Sequence, residues 1–340
     1  MRKYLNTLYV TTQGAYLSKD GECVAVSVER EVRLRVPVHT LAGVVCFGNV
    51  TCSPHLMHHC AESGVLLSFM SEHGRFLARV QGPVAGNVLL RREQYRRAED
   101  PDQAALVARS VLLAKVANSR AVLQRAVRDH GERPGLAAAI LRLGHLLGEL
   151  RDETELETMR GKEGDAGRTY FDVFDRLITT EDEAFRFRGR SRRPPLDRVN
   201  ALLSFHYSLL AHDCVAALEG VGLDPQVGFL HRDRPGRPSL ALDLMEEFRS
   251  FFADRLVLSL INLRQVDAAG FVVRESGAVE MTEETRKAVL VAYQKRKQEE
   301  LLHPYLGERA PLGTCFHLQA LLLARHLRGD LDAYPSFAWK

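Results

Sequence analysis

RFLARVQGPVAGNVLLRREQYRRAED, residues 75–100, decides the fold, because two periodicities meet inside it. RFLARVQ reads as a strand, and after the glycine- and proline-punctuated GPVAG (82–86) the pattern switches to helical spacing. Upstream, TLYVTT, ECVAVSVE, EVRLRVPV, GVVCFG and VLLSFM are short β-branched or alternating runs separated by Gly, Asp and Asn. One helix interrupts them at SPHLMHHCAE, where Ser53 can cap and Pro54 takes the first helical position. A turn at Glu72-His73-Gly74 precedes the last strand. Downstream, Leu106, Val107, Val111, Leu112, Val116, Val122, Leu123 and Val127 recur at three- and four-residue steps, the stripe of an amphipathic helix. Further helices are predicted over 136–150, 152–158, 166–178, 196–218, 239–262, 281–300 and 313–327. The expected fold class is α+β. A small N-terminal β-sheet domain covers 1–82, a linker and first helix 83–100, and a larger all-α domain 101–340.

The 340 residues, 46% hydrophobic and 26% charged, have ample apolar material for a buried core, which excludes a disordered chain. A net charge of +3 does not by itself mark a nucleic-acid binder; local clustering of Lys and Arg decides that. Cys23, Cys46, Cys52, Cys60, Cys214 and Cys315 lie far apart without a CxxC pair, which argues against a zinc ribbon or a disulfide framework and fits reduced thiols. The cluster of His55, His58 and His59 with Cys52 and Cys60 matches no structural zinc spacing. MRKYLNTLYV lacks the apolar core of a secretory signal, and the apolar run FFADRLVLSLINL is broken by Asp254 and Arg255. No membrane span and a cytoplasmic location are the expectations.

Chemistry gathers in GFLHRDRPGRPSLALDLMEEFRSFF, residues 228–252. On a helical projection Leu244, Met245, Phe248, Phe251 and Phe252 form the core stripe, whereas Asp243 and Glu246 share another face and Glu247 is expected to meet solvent. One imidazole with carboxylates suits Mg2+ or Mn2+, so His231 and Glu246 read as half of a metal site. The same acids would equally serve to neutralise Arg232, Arg234, Arg237 or Arg249 at a surface. In GKEGDAGRTYF, residues 161–171, Glu163 lies between glycines and reads as the beginning of a helix, where the open backbone suits an acidic ligand or a phosphate. Arg168 and Tyr170 beside it are able to contact a phosphate or to pack.

Three motifs taken together resemble one family. G-x-E-G-x-A-G-x-x-Y-F at 161–171, D-P-x-x-G-F-L-H at 224–231 and L-A-L-D-L-M-E-E-F-R at 240–249 are similar, in that order and spacing, to the metal-site motifs of Cas1, the CRISPR-associated spacer-acquisition integrases. PPLDRVNALLSFHYSLL (194–210) and LLRREQYRRAED (89–100) extend the resemblance, which covers essentially the whole chain. The ending DAYPSFAWK resembles the type I-C branch. The resemblance implies that Glu163, His231 and Glu246 are catalytic ligands of Mg2+ or Mn2+, with Asp243 supporting or joining the site. At the third position Glu246 stands where many members carry Asp, which keeps the charge and lengthens the reach.

It also implies an activity: insertion of double-stranded prespacer DNA into a CRISPR array by 3′-hydroxyl transesterification, with nuclease cleavage when water attacks instead. The expected partners are the DNA, a second copy in a homodimer, and the small protein Cas2 bridging two dimers. Candidate phosphate contacts are Arg168, Tyr170, Arg232, Arg237 and Arg249. Others are Arg91, Arg92, Arg96 and Arg97 beside Tyr95, the arginines of 186–193, and AYQKRKQ at 292–298. The segments 185–195 and 231–238 are expected to be solvated loops. Two other functions are compatible with these residues, a repair nuclease that only hydrolyses and a catalytically silent DNA scaffold.

Overall fold

In the computed structural model residues 7–41, 43–72, 76–80, 82 and 88–339 are described. Alternating side chains build two sheets in the N-terminal part. β1 (Thr7–Val10), β5 (Gly43–Phe47), β7 (Leu66–Met70) and β8 (Phe76–Val80) lie in that order, parallel except for the antiparallel β7/β8 pair. The second sheet runs β4 (Glu31–Pro37), β3 (Cys23–Val28), β2 (Tyr16–Asp20) and β6 (Thr51–Cys52). The polar YLSKD of β2 carries no sequence signal as a strand; pairing with β3 on one side and β6 on the other makes it one. The expected turn at 72–74 and the GPVAG boundary fall largely on residues 73–75, 81 and 83–87, outside the described residues.

Helix α1 (Pro54–Glu62) starts as the sequence requires, with Ser53 Oγ accepting from the Leu56 amide at 3.2 Å. It buries Leu56 and Cys60 in the core between the sheets. Burial pushes the Cys46 and Cys52 thiols up to about 12 and Cys60 to about 11, so these are inert packing residues. β5 divides its side chains by the period of two: Val44 and Cys46 enter this small core, while Val45 and Phe47 enter the core of the helical part, where Phe47 meets Phe205 at 6.1 Å.

The helical part comprises α2 (Val88–Glu99), α3 (Pro101–His130), α4 (Leu136–Arg151), α5 (Leu156–Asp172), α6 (Arg198–Val221), α7 (Ser239–Glu246), α8 (Arg255–Asn262), α9 (Glu283–Gln298) and α10 (Leu312–Arg328). It is not all-α, since β9 (Phe271–Val273) pairs with β10 (Val279–Met281), and β11 (Glu300–Leu302) with β12 (Arg309–Pro311). Two helices expected at 152–158 and 166–178 are the single α5. Its glycines read as breakers in isolation, but packing on α3 and α4 with Met159, Ala166 and Tyr170 buried carries the helix through them. The single helix expected over 239–262 is instead α7, one turn of π-helix at Arg249–Asp254, and α8.

α6 is the central helix. Asp197 caps it by accepting from the Asn200 amide at 2.7 Å, and Gly222 ends it at φ 88°. By length and composition alone it could cross a membrane, but α7 and α10 pack on it and most of its apolar stretch is buried inside the protein. It also carries His206 and His212, both buried, and burial pushes each imidazole down to about 4. Between the usual 6.5 and about 4 the unfolded chain binds protons that the fold refuses, so stability is lost as pH falls through that window, by about 3 kcal/mol for each imidazole. Thermal denaturation from pH 7 to pH 4 is expected to show this decline, and His206→Gln to make it shallower. An equally steep fall in the variant would contradict the assignment.

Candidate active site

α7 is a helix buried all round, with Asp243, Glu246 and Glu247 each at most 1% exposed. Glu247 was expected to face solvent, and the structure corrects this. The C-terminal tail covers its face of the helix, and the carboxylate accepts from Tyr334 Oη at 2.5 Å, the Phe337 amide at 2.6 Å and Gln319 Nε2 at 2.9 Å. Burial pushes its carboxyl up to about 7, against these donors. Contacts 72 to 90 residues away in sequence leave no trace in a helical projection.

Glu246 meets the opposite surroundings. Burial opposes its ionisation, but Arg249, Lys115 and His231 together overcome that cost and hold its carboxyl well below the usual carboxylate range. Arg249 Nη1 donates to Oε1 at 2.6 Å, and Lys115 Nζ stands 2.8 Å from Oε2. The Lys115 contact lacks hydrogen-bond alignment, so Oε2 remains a buried oxygen without an aligned donor.

His231 is set by Asp243. The Asp243 carboxylate accepts the backbone amides of Phe229, Leu230 and His231 at 2.7, 3.0 and 3.0 Å, and His231 Nδ1 lies 2.7 Å from its Oδ1. Both carboxylate oxygens of Asp243 are therefore engaged within the 228–231 turn, where they orient His231. Nδ1 is the ring nitrogen that faces the carboxylate, which leaves Nε2 as the nitrogen not engaged by Asp243. Gly228 is required here, because a Cβ would come within 2.9 Å of Asp243 Oδ2 and of Ser239. Arg160 Nε donates to Leu230 O at 2.7 Å and ties the turn to α5.

Glu163 stands in the middle of α5 and not at its beginning, so no helix terminus acts on it. Its Oε1 accepts from Lys115 Nζ, the same ammonium that pairs with Glu246. Lys115, in the middle of α3, therefore joins the two glutamates. Nothing in its apolar surroundings in the sequence marks it out.

A cavity of about 330 Å³ opens beside these groups, lined by Lys115, Glu163, Glu246 and Arg249, by Gly164, Gly167, Arg168 and Tyr170, and by Arg190, Arg192, Tyr207, Ser250 and Asp254 among others. A Cβ on Gly164 or Gly167 would meet nothing, so the backbone of α5 is bare on this side. Of the expected DNA contacts, Arg168 is exposed at the cavity, whereas Tyr170 is 3% exposed and packs edge-on to Phe171 and Phe174 as a core residue. Arg232 pairs with Glu157 at 2.7 Å on the surface, and Arg237 is half-buried in the turn before α7. Arg249 is not a loose surface cation; it is clamped between Glu246 and the Tyr207 ring, 4.5 Å from its centroid.

The wider basic runs are also partly committed. Arg96 and Arg97 both bind Glu93, and Lys297 is buried against Asp213 at 2.9 Å. The 185–195 segment is anchored by buried Phe185 and Phe187, and Arg190 Nη1 donates to Asn200 Oδ1 at 2.6 Å. The sequence therefore marks Glu163, His231 and Glu246 but not Lys115, Tyr207 or Asp254, which only tertiary packing brings to the cavity.

Two carboxylates, one holding a buried oxygen without an aligned donor, and an imidazole whose Nε2 is not engaged by Asp243 are the kinds of group a hard or borderline divalent ion binds. Among the described residues no three His, Cys, Asp or Glu side chains converge to coordinating distance, and Lys115 stands between the two glutamates.

A two-sheet N-terminal part set on a mostly helical part is the fold of solved Cas1 and casposase structures. The fold is shared over 98% of the chain with a Cas1 protein from Thermotoga maritima, covered completely, at TM-score 0.81 and 22% identity. It is shared equally with a casposase bound to integration product, 94% covered, at TM-score 0.82 and 22% identity. The family model of CRISPR associated protein Cas1 matches residues 8–295, and the CRISPR-associated endonuclease Cas1 1 of Chlorobaculum tepidum is 56% identical over the full length of both chains. The chain belongs to the Cas1 family.

Asp243→Ala should unseat the 228–231 turn and destabilise the protein by about 3–5 kcal/mol, the cost of leaving buried hydrogen-bonding groups unpaired. Asp243→Asn should fall between this variant and the wild type. Urea denaturation measures both, and an unchanged midpoint in Asp243→Ala would exclude this role.

Proposed function

We propose that the protein is a divalent-metal-dependent DNA integrase and endonuclease, which inserts prespacer DNA into a CRISPR array by attack of a 3′-hydroxyl on a phosphodiester. Cleavage results when water takes the hydroxyl's place. The observation that carries this reading is the His231 imidazole, held by Asp243 through Nδ1, beside a buried Glu246 that neighbouring cations keep ionised. Glu163, His231 and Glu246 would hold Mg2+ or Mn2+, and Asp243 would act through His231. Bound there, the ion would activate the attacking hydroxyl, polarise the phosphodiester and offset charge in the transition state.

The chain's own residues supply the rest. Arg168 and Arg192, exposed where they line the cavity, would take phosphate oxygens, and the bare backbone at Gly164 and Gly167 leaves room for a strand to approach α5. Arg249, fixed by Glu246 and the Tyr207 ring, holds Glu246 ionised and in one orientation. On the other sheet Tyr16, Val32 and Leu34 expose apolar area, which favours a second copy as partner and hence a homodimer. The family resemblance adds Cas2 bridging two dimers, the ending DAYPSFAWK favours the type I-C branch, and the substrate fits a cytoplasmic site of action.

Strand transfer of a 3′-hydroxyl duplex into supercoiled plasmid, titrated with Mn2+, tests the reading. His231→Ala is expected to lose at least about a hundredfold in product at equal Mn2+. Equal activity in the two proteins would overturn the metal assignment, and hydrolysed ends without branched products would point to a repair nuclease.

A further inference from the structure

Lys115 is a cation placed on the same two oxygens that the proposed ion needs. Its ammonium contacts Glu163 Oε1 and stands 2.8 Å from Glu246 Oε2, and the side chain is 11% exposed. Its neighbours Ala114 and Val116 are buried and supply the packing of α3 at this point. The ammonium itself therefore serves the carboxylates, not the helix.

The two cations on Glu246 differ in what they can do. Arg249 is a planar group fixed by an aligned bond to Oε1 and by the face of Tyr207, whereas Lys115 is a point charge on a flexible stem whose contact with Oε2 is unaligned. Arg249 is held on two sides, whereas Lys115 is held by its bond to Glu163 Oε1 and by charge alone at Glu246 Oε2. A divalent ion on Glu163 and Glu246 could not coexist with an ammonium between them, because like charges at that separation in a buried site repel strongly. Among the described residues no three ligating side chains converge, and the ammonium occupies the space between the two glutamates.

Resting on the function proposed above, we infer that Lys115 is a tethered counter-ion of the ion-free enzyme, which the divalent ion must displace on binding. It neutralises Glu163 and Glu246 while the site waits, which keeps two carboxylates from repelling each other across a pocket. It also sets the affinity for the ion, since uptake is an exchange of one cation for another. The displaced ammonium stays tethered to α3 on the wall of the cavity, where its charge faces the path of the DNA.

Calorimetric titration of the full-length protein with Mn2+ tests the exchange, comparing wild type, Lys115→Met and His231→Ala. Lys115→Met should bind Mn2+ about tenfold more tightly, because no buried ion pair has to be broken, and its ion-free form should melt at lower temperature. In the wild type, acylation of Lys115 by an amine-reactive ester, read by peptide mass spectrometry, should rise severalfold at saturating Mg2+. It should not rise in His231→Ala. Equal Mn2+ affinity in wild type and Lys115→Met would overturn the exchange while leaving the metal site standing. So would labelling of wild-type Lys115 that ignores bound Mg2+, a measurement that needs no variant to fold. No Mn2+ binding by the wild type at all would overturn the metal site itself.

Discussion

A carboxylate kept ionised inside a protein core is the constraint on which the rest of this structure turns. Glu246 is buried, and burial alone would protonate it; Arg249, Lys115 and His231 prevent that. The Arg249 cation in turn requires a support of its own. Arg249 rests on Tyr207, whose hydroxyl donates to Asp254 at 2.5 Å, and burial pushes the Asp254 carboxyl up to about 6. The π-helical turn makes this possible. Residues 249 and 254 are five apart and would diverge by about 140° on an α-helix, but the wider π turn brings them toward one wall of the cavity.

The fold was legible in the sequence where one face of an element is apolar and local. The β runs, α1 with its Ser53 cap, the stripe of α3 and the strong core pattern of α6 all follow from periodicity. It was not legible where tertiary contacts override local preference. Glycine-rich α5 runs unbroken because α3 and α4 hold it, and polar β2 forms because its neighbours need a partner. The site divides in the same way. Glu163, His231 and Glu246 stand in motifs that resemble the family's, so the resemblance singles them out as candidates, whereas Lys115 lies in an apolar helix stretch and is brought to them only by tertiary packing. Asp243 was visible as an acid but not as the collector of three backbone amides, since that depends on the path of the 228–231 turn.

Glu246 and Glu247 are adjacent, equally buried and chemically identical, yet burial pushes one up to about 7 while the other is held far below the usual range. The difference lies in the neighbours. Neutral donors surround Glu247, and neutral donors lower the cost of its charge without supplying an opposite one. Cations surround Glu246. The helix thus offers one acid as a charge and uses the next as a hydrogen-bonding anchor.

That anchor extends the site's scaffold beyond the family-matched 8–295 region. Glu247 is held by Gln319, Tyr334 and the Phe337 amide, and its backbone carbonyl accepts from Asn118 Nδ2 at 2.7 Å. Asn118 also binds Phe337 O and the Trp339 amide, and it stands three residues after Lys115 on α3. One helix therefore grips α7 at two successive residues, through an ammonium at Glu246 and an amide at Glu247. The second grip depends on the tail being in place. The orientation of the charged glutamate is consequently fixed by the last residues of the chain as well as by its own motif, and those contacts survive if the Lys115 ammonium moves away.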